Sequence, residues 1–112
     1  KILNIPQLIV EPSNARVGVK TGHGIFCSAT FEEETDVQEA IELIDSFDGV
    51  EYWKEKLPTP LDAEGNKKVL VGRMRNGLSN SRILNFWTVS DNLLKGAALN
   101  AVQIARYIAD ND

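Results

Sequence analysis

His23 is the only histidine in the chain, and it sits between two glycines in Thr21-Gly22-His23-Gly24. An imidazole titrates near neutral pH, so it can take a proton from a reacting group and return it. Glycine on either side permits unusual backbone angles and close approach of a substrate. A histidine in a surface turn is the competing reading, and these residues alone do not choose between the two. Arg16 stands seven positions earlier, with Gly18 beside it on the same face of an alternating stretch. Its planar fork of donors suits a carboxylate held through two hydrogen bonds. A solvated strand residue or a structural ion pair is the alternative. Cys27, the only cysteine, invites a thiol–imidazole pair with His23. It falls in step with Ile25, Ala29 and Phe31, however, and that apolar face assigns it to the core, where a thiol is a poor thiolate. One histidine and one cysteine offer no metal-ligand spacing, so no metal is expected. Glu32-Glu33-Glu34 reads as a solvated strand end, and Trp53 and Trp87 as packing residues.

The elements that must position these residues can be read from periodicity. Residues 1–14 hold Pro6 and Pro12 and are expected to be irregular. Ala15, Val17 and Val19 alternate with Arg16, Gly18 and Lys20, which predicts a half-buried strand. A second alternation runs from Ile25 to Glu32, and the two strands are expected to pair as a hairpin or continue through a bend. Thr35 with Gln38 resembles a capping box opening a helix through Val37, Ile41, Ile44 and Phe47, which Asp48-Gly49 ends. Val50–Lys54 predicts a short strand, and 55–66, with Pro58, Pro60 and Gly65, a loop. Val69–Arg75 and Leu84–Val89 predict two more strands. Ser90 or Asp91 can cap a last helix whose stripe, Leu94, Ala97, Ala98, Ala101, Ala105 and Ile108, is narrow enough to lie close to a sheet or a neighbouring element. The order predicts an α+β fold with a mostly antiparallel sheet packed against helices. Neither a dinucleotide-binding glycine fingerprint nor a phosphate-binding loop is present.

Composition narrows the partners. The 112 residues carry a net charge of -4 and a pI near 5.0. No basic block stands out, which argues against nucleic acid. Apolar runs fall short of the ~20 residues of a membrane helix, no signal peptide is visible, and a lone cysteine suits a reducing, cytoplasmic setting. The chain starts at Lys1 without an initiator Met, so processing or excision from a longer chain is expected.

Val71-Gly72-Arg73-Met74-Arg75 and the long run from Trp87 through Ser90-Asp91-Asn92-Leu93-Leu94-Lys95-Gly96-Ala97-Ala98 to Ala105 are similar to the closing segment of bacterial aspartate-semialdehyde dehydrogenases. Pro58-Thr59-Pro60-Leu61-Asp62-Ala63 also looks like that family. Arg16-Val17-Gly18-Val19-Lys20-Thr21-Gly22-His23 resembles its arginine and histidine at the same separation. The chain departs from the family pattern at Ala15, where a cysteine is usual, at Gly18, where proline is common, and at Gly24, where serine is frequent.

The resemblance implies NADPH-dependent reduction of L-aspartyl 4-phosphate to L-aspartate 4-semialdehyde, with release of phosphate, on the route to lysine, threonine and methionine. It implies a cysteine nucleophile that Cys27 does not match. It makes His23 the acid/base, Arg16 the ligand of the substrate carboxylate and Asn92 a contact of NADP. It implies a glyceraldehyde-3-phosphate-dehydrogenase-like C-terminal domain spanning 1–112, the NADP-binding domain being absent. The sheet would form a homodimer interface, the last helix would return to the cofactor domain, and the chain alone would be inactive. Two other readings stand beside this one. A stand-alone α+β module could bind an amino acid or pair through its sheet. A sibling reductase of N-acetylglutamyl phosphate shares the plan, but the Asp91–Ala105 run favours the aspartate branch.

Overall fold

Ile83–Ser90 is rich in β-branched and aromatic side chains, the composition of a pleated, half-buried surface, and Val69–Asn76 opens on the apolar run Val69-Leu70-Val71. A polar turn folds one back on the other, with Gly77 N–H donating to the Ile83 carbonyl at 2.7 Å. The structure, a computed structural model, describes residues 4–111. In chain order its elements are β1 (His23–Thr30), α1 (Val37–Asp45), β2 (Val50–Trp53), α2 (Pro60–Ala63), β3 (Val69–Asn76), β4 (Ile83–Ser90), a π-type segment (Leu94–Ala98) and α3 (Leu99–Asn111). The strands form one sheet in the order β1-β4-β3-β2. β1 and β3 both run antiparallel to β4, while β2 runs parallel to β3 through the connection that contains α2. The fold is α+β and mostly antiparallel, as the order of elements predicts.

Two clusters make the core, one on each sheet face. Val71, Met74 and Leu84 are buried under α1, with Ile41, Ile44 and Phe86 packed around them. Ala63, Leu70 and Val89 are buried on the other face under α2, flanked by Trp53 and Trp87. A β-bulge sorts β3 between these faces. Gly72 pairs with Trp87 and Arg75 with Asn85, so Arg73 and Met74 together oppose Phe86 alone. Arg73 takes the extra residue's kink at φ 58°. The bulge places Met74 in the core beneath α1 and turns Arg75 to the opposite face, 5.7 Å from the Phe26 ring.

Several expectations are corrected. The predicted first strand is absent: residues 15–19 are irregular, and Val17 is 61% exposed. β1 pairs instead with β4 and leaves its other edge without a partner among the described residues. Alternation reveals two faces but does not supply an edge to bond to. The cap of α1 is Asp36, whose Oδ1 accepts from Gln38 and Glu39 N–H at 2.7 and 3.0 Å. Thr35 is engaged elsewhere, its hydroxyl donating to the Ser81 carbonyl at 3.0 Å. Phe47 lies past the end of α1 and is 73% exposed. The predicted loop at 55–66 contains α2, because Pro60 stands at its first turn, where proline's fixed φ favours a helix start. The stripe of the last helix rests on no sheet: Ile108 is 53% exposed, and the main contacts of α3 are with the π-type segment before it. Residues 1–3, part of the stretch expected to be irregular, lie outside the described residues. No helix of the described residues is long and apolar enough to cross a membrane.

The start of α2 is held by charge. Asp62 accepts from the Lys56 ammonium, from the Thr59 hydroxyl at 2.6 Å and from Thr59 N–H at 2.8 Å. These contacts, the lysine foremost, draw its pKa from 3.8 down to about 2. A depressed carboxylate stabilises the fold above its unfolded pKa and loses that contribution as pH falls through the folded one. The contribution of Asp62 to the thermal midpoint is therefore expected to be fully present and independent of pH near neutrality. It should fall between pH of about 4 and about 2. Asp62→Asn should lower the neutral-pH midpoint and flatten this part of the acid limb; an unchanged profile would reject the assignment.

Candidate active site

His23 opens β1, and its backbone lies opposite Ser90 at the far end of β4. The turn before it is fixed from two directions. Gly22 N–H donates to Asn92 Oδ1 at 2.8 Å, a bond across 70 positions of sequence. Gly22 is buried at φ +98°, a region that L side chains rarely adopt, and a Cβ there would stand 2.9 Å from the Pro60 carbonyl oxygen. Glycine is thus required at 22 by both conformation and space. Gly24 is required by space alone: a Cβ on it would overlap the Trp87 indole, which crosses over the strand. That ring is anchored by Trp87 Nε1–H donating to the Pro58 carbonyl at 2.8 Å. The glycines flanking His23 therefore serve packing against Pro60 and Trp87.

Gly24→Ala is accordingly expected to displace the Trp87 ring and break its bond to Pro58. Overpacking of this kind costs about 1–3 kcal/mol. A denaturant titration and the tryptophan emission maximum check this; an unaltered midpoint with unaltered emission would mean that the ring does not close over Gly24.

Asn92 owes its position to Asp91. The buried Asp91 carboxylate accepts from Gly65 N–H at 2.9 Å through one oxygen, and from Leu93 and Leu94 N–H at 2.8 and 3.0 Å through the other. These bonds, that from Gly65 first, lower its pKa. They cap the turn that leads into the last helix, which begins with wide bonds such as Gly96 N–H to the Asp91 carbonyl at 2.9 Å.

Arg16, His23 and Asn92 line one cleft of about 830 Å³, together with Lys20, Thr21 and residues 13–15. The structure thus brings all three predicted site residues to a single place, although they come from an irregular segment, a strand end and a helix entrance. The lining contains two cations, Arg16 and Lys20, and no acidic residue, on a chain whose net charge is -4. Such a lining suits an anionic ligand. Lys20 was not singled out by sequence reasoning, because its alternation with Val19 marked it only as a solvent-facing residue. The Gly22–Asn92 bond also leaves no local sequence signal.

Cys27 is not part of the cleft. It lies four residues along β1 from His23, about 13 Å at the rise of an extended strand, beyond hydrogen-bond reach. It is half-buried rather than a full core residue, because Ile25 on the same face is 60% exposed. Among the described residues no group of three or more His, Cys, Asp or Glu side chains could hold a metal ion. A second concavity of about 380 Å³ between β2 and β3 gathers Lys54, Glu55, Lys56, Arg73 and Arg75 and holds none of the three predicted site residues.

Residues 1–95 match a family described as semialdehyde dehydrogenase, dimerisation domain. The aspartate-semialdehyde dehydrogenase 2 of Vibrio cholerae is 39% identical over 110 residues, covering 96% of this chain and 33% of the relative. An aspartate-semialdehyde dehydrogenase of Mycolicibacterium smegmatis is 41% identical over 111 residues, covering 97% of this chain and 32% of the relative. The chain thus spans about a third of the length of these curated relatives. The crystal structure of aspartate semialdehyde dehydrogenase II of Vibrio cholerae complexed with ASA superposes with a TM-score of 0.75 at 37% identity, covering 80% of this chain and 27% of that one.

Proposed function

From the premise that this chain belongs to the semialdehyde dehydrogenase family through its dimerisation domain, we propose that it forms the acid/base and substrate-carboxylate half of an aspartate-semialdehyde dehydrogenase. The observation that carries this reading is the shared cleft, in which Arg16, His23 and Asn92 meet under a cationic lining. The reaction interconverts L-aspartate 4-semialdehyde plus phosphate with L-4-aspartyl phosphate, in lysine, threonine and methionine biosynthesis in the cytoplasm. Arg16 binds the α-carboxylate through its two-point fork. His23 takes the proton from the adduct of the aldehyde with a cysteine thiolate supplied from outside residues 1–112, and returns it in the reverse direction. NADP, when bound, accepts or supplies the hydride. Of its binding site this chain offers Asn92, whose Nδ2 donors remain once Oδ1 is engaged by Gly22. The dinucleotide fold belongs to the same missing part, so the chain alone is inactive. Two such domains pair through their sheets as a homodimer.

The test is phosphate-dependent NADP reduction with aspartate semialdehyde by the full-length enzyme, compared with its Arg16→Lys variant. Lysine keeps the charge and loses the planar contact. The expected outcome is a raised KM for the semialdehyde with a smaller change in kcat. Turnover by the 112-residue chain alone, or an unchanged KM in the variant, would overturn the assignment.

A further inference from the structure

Asn92 stands at the entrance to the last helix, yet its side-chain carbonyl is spent on the turn that carries His23. We infer that Asn92 is a positioning residue for the base, clamping the backbone at Gly22 so that the imidazole one residue later points into the cleft. This rests on the function proposed above and goes beyond it, since there Asn92 is only a contact of the cofactor.

Three observations converge. The bond is short and well formed, 2.8 Å from Gly22 N to Asn92 Oδ1. The acceptor is itself held in place, because the neighbouring Asp91 carboxylate takes three backbone N–H groups and is buried. The donor sits in a turn with little other support. β1 starts only at His23, and residues 4–20 belong to no helix or strand. Pro60 limits the turn from one side by contact, and Asn92 supplies the directional bond from the other. Losing Asn92 leaves a buried N–H without its partner and a turn free to rotate about Gly22. Because Oδ1 faces the turn, Nδ2 is the atom left for the cleft. One side chain thus joins the cofactor's place to the placement of the base.

Asn92→Asp and Asn92→Ala separate the two roles in the full-length enzyme. Aspartate keeps an acceptor for Gly22 N–H and discards the Nδ2 donors; alanine discards both. If Asn92 positions the base, Asn92→Ala lowers kcat by roughly tenfold to a hundredfold, the cost of a misplaced catalytic group, and alters the histidine limb of the pH–rate profile. Asn92→Asp recovers most of that kcat on the plateau, even where its KM for NADP is raised. Hydrogen exchange of the Thr21–His23 turn accelerates in Asn92→Ala and stays near the parent rate in Asn92→Asp. The inference is overturned if both variants change only the KM for NADP, if both lose kcat equally, or if alanine leaves the exchange of the turn unaltered. Absence of the reaction in the unmutated enzyme would reject the proposed function, while the exchange comparison would still decide whether Asn92 holds the turn.

Discussion

In the full-length enzyme, His23→Ala lowers turnover by about 100-fold or more, the usual contribution of a positioned general acid/base. The loss is expected in kcat, because in the proposed function the imidazole handles a proton of the reacting adduct while Arg16 holds the substrate. The substitution should be structurally mild: His23 is exposed at the first position of β1, and the bonds that fix the turn run through Gly22 instead. His23 is also the only imidazole in the chain, so no neighbouring histidine in the segment can take over its role. Steady-state kinetics across pH decide the matter. The variant should keep the parent's thermal midpoint and lose the histidine limb of the rate profile; a normal rate would reject the assignment of His23 as the base.

The second large effect concerns the fold that carries the site. Leu70 is fully buried near the start of β3, packed with Ala63 and Val89 and flanked by Trp53 and Trp87. Leu70→Ala is expected to cost about 2–5 kcal/mol, the transfer energy of the lost atoms plus the cavity left behind. The cavity would open beneath the ring that covers Gly24, so the damage reaches the His23 turn. Denaturant unfolding followed by tryptophan emission measures it, since both tryptophans of the chain border this cluster. A loss below about 1 kcal/mol would place Leu70 outside a packed core.

Much of this architecture is legible in the residues. The apolar segments Val69–Arg75 and Leu84–Val89 mark β3 and β4 to within one residue at each end, because a polar loop separates them. The helix over Val37–Asp45 is equally plain from its spacing. Most of the failures share a cause, dependence on a partner distant in sequence, whereas the start of α2 is set by its own local contacts. Ala15–Val19 has the alternation of a strand and bonds to neither edge of the sheet. Thr35 has the chemistry of a cap, and Ser81 engages it. Pro60 reads as a breaker until it is seen at the first turn of α2. The bulge at Arg73 reverses the faces of β3 with no signal in the alternation of a single strand. At the site, Arg16 and His23 could be paired only through resemblance to a family, since an irregular segment has no periodicity to aim a side chain. The Gly22–Asn92 bond spans 70 positions and was invisible.

The pairing of β1 carries a consequence for how the site comes into being. β1 bonds to β4 alone, so α1, β2, α2 and β3 all separate the strand that bears the proposed base from the strand that holds it. During synthesis, at about 5–20 residues per second, His23 leaves the ribosome seconds before Ser90 and Asn92 exist. Closure of so long a loop comes after the local β3–β4 hairpin, which pays less chain entropy to form. The half-site is therefore among the last features to assemble, and until then the apolar side chains of β1 stand open to any other strand edge in the cell.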